Sequence, residues 1–210
     1  MNDGWNYRFY ENKKSGYQYI CEATDLQKIN DKAYDFILAS HILEHTANPI
    51  KAIQEWVRVL KDEGQILIVV PHKEKTFDHN RPVTPFRHLM DDYERDVKED
   101  DLTHLPEILE LHDLEIDAPA GDAISFKKRS LCNCRNRCLH HHVFDVDNLT
   151  KILGFLNLNI IFSGFAPPYH IFVFAEKSAG NVRETIKTSK AQVRIDAVGN
   201  SNKPPEAICR

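Results

Sequence analysis

Long apolar runs are missing from this chain of 210 residues. No stretch approaches the roughly 20 residues that cross a bilayer as a helix, so a membrane role is not expected. An excess of basic residues is also missing. Lys and Arg number 27 against 31 Asp and Glu, a formal net charge of −4, which argues against a general nucleic-acid binder. The N-terminus, Met1-Asn2-Asp3-Gly4-Trp5, lacks the basic-then-apolar pattern of a secretion leader. The five cysteines are odd in number and form no regular framework, so a reducing, cytoplasmic setting is the expectation. Glycine is scarce too. Before Asp25 there are only Gly4 and Gly16, too isolated to build a Gly-x-Gly turn after a strand. No internal repeat is present.

What the chain does have is apolar patterning enough for one core, at 42% hydrophobic residues. Phe36-Ile37-Leu38-Ala39 is a short continuous apolar run, as expected of a strand covered on both faces. Asn48-Pro49 then reads as a helix start, with Asn as N-cap and Pro at the first helical position. Ile50, Ile53, Trp56, Val57 and Leu60 follow at helical spacing, and Gly64 is the expected stop. A second apolar run, Ile66 to Val70, closes on Pro71. Strand, amphipathic helix and strand within one short segment predict a right-handed βαβ unit. Further on, Asp145 or Asp147 can cap a helix carrying Leu149, Ile152, Leu153 and Leu156. Strands are expected over 159–162 and 171–175. Their connection through Pro167-Pro168-Tyr169 is too short for a parallel crossover, so they should pair antiparallel. A short strand is also expected from Tyr17 to Cys21, leading into Asp25 and Leu26 at its C-terminal end.

Four parts follow: an irregular N-terminus (1–16), an α/β domain (17–177), an insertion within it (72–142), and a tail (178–210) whose composition predicts disorder. The insertion is where function is expected, because long connections after parallel strands form the active face of such sheets. Helices are expected over 86–93 and 102–111. Between Asp91 and Asp122 lie 13 acidic and two basic residues, read as a solvated helical face.

Several residues there are capable of chemistry. His72, just past the second buried run, is either a base for an acceptor's proton or a polar residue solvating a strand end. Asp78, His79 and Arg81, in Thr76-Phe77-Asp78-His79-Asn80-Arg81, form a candidate substrate-binding set, with Arg81 as partner for an anion. Glu44 and His45 are read as fixing a turn. His104 and His112 are spaced to share a helical face, and His140 and His142 alternate so that they could converge. Cys132, Cys134 and Cys138 precede these histidines, but the spacing is not that of a structural zinc site, and no metal-ligand set is assigned.

The Tyr-Asp-Phe-Ile strand opening, the Ser-His-x-Leu-Glu-His turn (residues 40–45), the Asn-Pro helix start and Arg58-Val59-Leu60-Lys61 before Gly64 together resemble the class I S-adenosylmethionine-dependent methyltransferases. The likeness is to the bacterial type 11 group, strongest over 34–75. The resemblance implies an α/β fold with a partial Rossmann-like sheet, mostly parallel with a C-terminal antiparallel hairpin, and no counterparts of the first two strands. It implies S-adenosyl-L-methionine as cofactor, lined by Asp25, Leu26, Ser40 and His41, with His72 as base and a polar small molecule as acceptor. The glycine turn and the acidic residue after the second strand have no match. A strand near Tyr17 would then be an exposed edge, and association through it is expected, as a homodimer or with an N-terminal partner chain. Two other functions remain open: a non-catalytic partner protein, and a metal-dependent enzyme built on the histidines of the insertion.

Overall fold

The computed structural model describes residues 3–7 and 16–179. Strands β1 (Gly4–Tyr7) and β2 (Gly16–Gln18) pair antiparallel as a two-stranded ribbon of their own, with Trp5 edge-on to Tyr17. The expected strand at Tyr17 is therefore real but short. It lies outside the main sheet, and residues 22–33 after it are turns.

The main sheet grows from the two apolar runs. Strand β3 (Tyr34–Ser40) passes through a short 3-10 turn at Leu43–His45 to helix α1 (Pro49–Val59), which returns to strand β4 (Leu60–Pro71). β3 and β4 pair in parallel, Phe36 opposite Gln65 through Ser40 opposite Val69. The Asn48 side chain accepts the Lys51 N–H at the head of α1, as its position before Pro49 predicts. Gly64 does not stop the helix. α1 has already ended at Val59, and Gly64 lies in the irregular stretch of β4 where the register with β3 shifts. A Cβ there would sit 2.8 Å from Leu60 Cγ and 2.9 Å from the Lys61 carbonyl oxygen.

The insertion is helical rather than strand-bearing. It contains α2 (Phe86–Glu94), α3 (Leu105–Leu111), α4 (Ala123–Ser130) and the single turn α5 (Asn133–Asn136). Leu105, Ile108, Ala120, Phe126 and Leu139 form a small core of its own. Helix α6 (Val146–Phe155) opens with a capping box in which Asp145 and Asn148 exchange hydrogen bonds. The hairpin β5 (Leu158–Ala166) and β6 (His170–Lys177) then completes the sheet in the order β3-β4-β6-β5. β6 runs antiparallel to both neighbours, so three of the four strands point the same way.

Alternation along the strands sorts the sheet into two unlike faces. Ala39, Ile66, Ile68, Val70, Ile171, Val173 and Ala175 are buried with Ile50, Ile53, Val57, Leu149, Ile152 and Leu153 of α1 and α6. On the other face, Phe36, Leu38 and Phe162 are 47, 61 and 52% exposed, and Phe162 and Phe36 lie against Phe174. Among the described residues no strand pairs with the outer side of β3. Among the described residues β3 and β5 are the edges of the main sheet, and the strand near Tyr17 pairs only with β1. No described helix is long and apolar enough to cross a membrane. Most of the irregular N-terminus and nearly all of the tail, 180–210, fall outside the described residues.

Asn48 also donates from Nδ2 to the buried Asp92 carbonyl, joining α1 to α2. Asn48→Ala removes the cap and one of the two hydrogen bonds to that carbonyl, which keeps the Val97 N–H, so it should cost about 1–2 kcal/mol in chemical denaturation. An unchanged midpoint would contradict this role.

Candidate functional site

Ligands bind α/β sheets beyond the carboxyl ends of parallel strands. Here that edge opens into a cleft of about 340 Å³, within the range of about 300–1,000 Å³ typical of small-molecule sites. His41 comes from the end of β3, and Glu44 and His45 from the turn behind it. Pro71, Lys75, Thr76 and Phe77 come from the end of β4 and the turn it enters. Ile116, His140 and Tyr169 close the far side.

His41 leaves β3 in a left-handed conformation (φ 53°), and its N–H donates to the Val69 carbonyl, tying the turn to β4. Its Nε2 lies 2.9 Å from His170 Nδ1, and its Nδ1 lies 3.4 Å from Glu44 Oε1. Burial lowers the His41 pKa, helped by His170 and His140. Glu44 is buried, and neither of its carboxylate oxygens has a hydrogen-bond partner. Burial pushes its carboxyl up to about 7. Burial likewise pushes His45 down to about 4, with repulsion from His140 adding to it. His45 Nδ1 lies 3.1 Å from the Leu139 carbonyl. A carbonyl only accepts, so that nitrogen carries the proton and Nε2 keeps its lone pair. His140 is held by Asp78, Nδ1 to Oδ2 2.5 Å, and packs on Phe77. Glu44, His45 and His140 each bring a donor atom within 4.8 Å of the others.

This cleft gathers only some of the residues singled out from the sequence. His41 lines it, and Ser40, exposed at the end of β3, adjoins it. Asp25 and Leu26 do not. Asp25 is exposed and accepts the Gln27 N–H. Leu26 is pinned to α1, its N–H bonded to Glu55 and its carbonyl to Arg58. Both leave the expected cofactor wall because the strand that should have carried them stops at Gln18. His72 caps the turn Lys73–Lys75, lies edge-on to Phe165, and is not among the cleft residues.

Asp78 and Arg81 are not open to a ligand. Arg81 is 1% exposed, and its guanidinium donates to Asp78, to Glu107 and to the carbonyls of His140 and His141. Burial opposes ionisation of Asp78, but His140 and Arg81 override it and hold its pKa below the usual carboxylate range. His79 is bonded to Asp113. The pair therefore positions His140 instead of meeting an anion. The expected convergences fail as well. His104 and His112 part company, His112 stacking on Phe77, and His140 and His142 enter different clusters. Glu44 is the residue that sequence reading undervalued. Its only signal was its place in the turn after a buried strand.

Residues 7–68 match the model of a family described as a methyltransferase domain. The matched segment is 62 of the 210 residues. The methyltransferase-like chain is also similar to solved SAM-dependent methyltransferases. One from Aquifex aeolicus is 14% identical, with 74% of this chain and 52% of that one covered and a TM-score of 0.40. One from Thermotoga maritima, titled a possible histamine N-methyltransferase, is 13% identical over 75% and 62%, with a TM-score of 0.41. One from Methanosarcina mazei is 15% identical over 80% and 72%, with a TM-score of 0.44. The chain thus spans about half to three-fifths of the first two structures. No curated protein matches it.

Glu44 has a pH signature. Its unfolded pKa is near 4.5 and its folded pKa about 7, so the folded state binds the extra proton between these values. The stability this contributes is complete below pH 4.5 and is lost as pH rises through 7. Glu44→Gln mimics the protonated form. It should stabilise the protein at pH 8 by on the order of 3 kcal/mol and change little at pH 4.5. Melting curves that give the same difference at both pH values would refute the assignment.

Proposed function

We propose that this methyltransferase-like chain takes part in S-adenosylmethionine-dependent methyl transfer to a polar small molecule bound in the cleft. The observation that carries the reading is Glu44. It is a buried, unpartnered carboxyl with a pKa of about 7, at the carboxyl end of the strand where the family signature lies. A group poised near neutral pH is suited to take a proton from an acceptor hydroxyl or amine. His41 beside it and His45, with its free Nε2, would orient that acceptor. The reading takes Glu44 as the base in preference to His72.

The described residues fit only one flank of the cofactor. By the family resemblance Ser40 and His41 would flank its methionine portion, while no glycine turn offers backbone N–H groups to its amino acid end. No chemical step through the cofactor is therefore derived from them. The reading includes a second polypeptide, most simply another copy of the chain, pairing with the open edge of β3. A second reading, a non-catalytic partner protein, draws on that same open edge and on the exposed Phe36, Leu38 and Phe162.

Calorimetric titration with S-adenosylhomocysteine tests the proposal, alongside the mass in solution by light scattering. Binding is expected, weakened at least about tenfold in His41→Ala, a loss of about 1.4 kcal/mol. Absence of heat and of any melting shift would overturn catalysis and favour the partner reading.

A further inference from the structure

Outside the residues that line the cleft, four side chains meet that the proposed chemistry does not use. His88 and Asp92 lie one turn apart on α2, on the same face of the helix. His104 stands at the head of α3, and His142 lies in the segment that leads to α6. Each brings one ring nitrogen or carboxylate oxygen within 4.8 Å of all the others. His88 Nε2 is 2.7 Å from His104 Nε2 and 3.2 Å from Asp92 Oδ2, and His142 Nε2 is 3.8 Å from that same oxygen. Donors held at 2.0–2.1 Å around a tetrahedral zinc ion are about 3.4 Å apart. The observed separations bracket that value.

Burial and hydrogen bonding point the same way. Asp92 is fully buried and its Oδ1 accepts from Arg95, but Oδ2, aimed among the imidazoles, receives no well-formed hydrogen bond. His142 is 1% exposed. Its Nε2 contacts the Ala47 carbonyl at 3.1 Å, and its Nδ1 has no partner. Unpartnered buried polar atoms are costly. Three imidazoles with one carboxylate are a natural donor set for a divalent transition metal. One outer contact typical of such sites is also in place. Asp101 Oδ2 stands 3.4 Å behind His104 Nδ1, whereas the Ala47 carbonyl faces His142 Nε2 itself and gives up that contact when Nε2 takes the ion.

We propose that His88, Asp92, His104 and His142 bind one divalent transition-metal ion, of which zinc is the natural case. Four protein ligands fill a tetrahedral shell, so the ion is structural. It staples α2, the start of α3 and the segment before α6 to one another. Binding it also adds to folding stability. The site stands apart from Glu44, and its existence does not depend on methyl transfer.

The test uses the full chain, stripped with a chelator and titrated with Zn²⁺ by calorimetry and with Co²⁺ by visible absorption. One equivalent should bind, raise the melting temperature and give the intense bands of tetrahedral Co²⁺. His88→Ala, at a partly exposed position, should fold and lose binding, and Asp101→Asn should weaken it by about 10–100-fold. His45→Ala, in the cleft cluster, should leave it unchanged. No binding by the stripped chain, or binding kept in His88→Ala and lost in His45→Ala, would overturn the proposal.

Discussion

The guanidinium of Arg81 is the constraint on which the functional face depends. It is 1% exposed and makes four contacts at once: to Asp78, to Glu107 of α3, and to the carbonyls of His140 and His141. Three separate pieces of the insertion are thereby fixed to one planar group. Arginine suits this role because its donors form a rigid fork that stays charged. Removing one partner of such a buried pair leaves an uncompensated charge and costs about 3–5 kcal/mol. Here it would also release the histidine segment that serves both clusters. Asp78 is held ionised at one end and at the other fixes the His140 ring against the cleft.

From that anchor, three consecutive histidines reach three environments. His140 enters the cleft beside Glu44 and His45, His141 contacts Asn133, and His142 joins His88, Asp92 and His104. Burial then sets the chemistry of each place. It holds a proton on Glu44 near neutral pH and strips one from His45. The two clusters differ in access more than in composition. The cleft is open to a small molecule, whereas Asp92 and His142 are buried.

The sheet shows the opposite economy. One face is closed by α1 and α6, while the other presents a row of aromatic rings to solvent beside an unpaired edge strand. Exposed apolar patches of this kind mark interaction surfaces. The edge strand β3, unpaired on its outer side among the described residues, lies within the segment that matches the methyltransferase-domain model.

The sequence by itself determined the β3-α1-β4 unit, the Asn48 cap and the antiparallel ending, and narrowed the α6 cap to Asp145 or Asp147. Each is written in local patterning that a few neighbouring residues enforce: apolar runs, a cap residue before a helix, a connection too short to cross over. It also pointed to the insertion as the functional region. It expected the Tyr17 strand to run to Cys21 and lead into Asp25 and Leu26, whereas that strand spans only Gly16–Gln18 and pairs outside the main sheet. It read Asp78 and Arg81 as ligand contacts, since nothing local shows that a charged loop will be buried against a segment some 60 residues away. Only the tertiary structure decided that Glu44 is shut off from water, and that His88, Asp92, His104 and His142 converge from three distant stretches. Burial and convergence depend on long-range packing, which no spacing within the chain records.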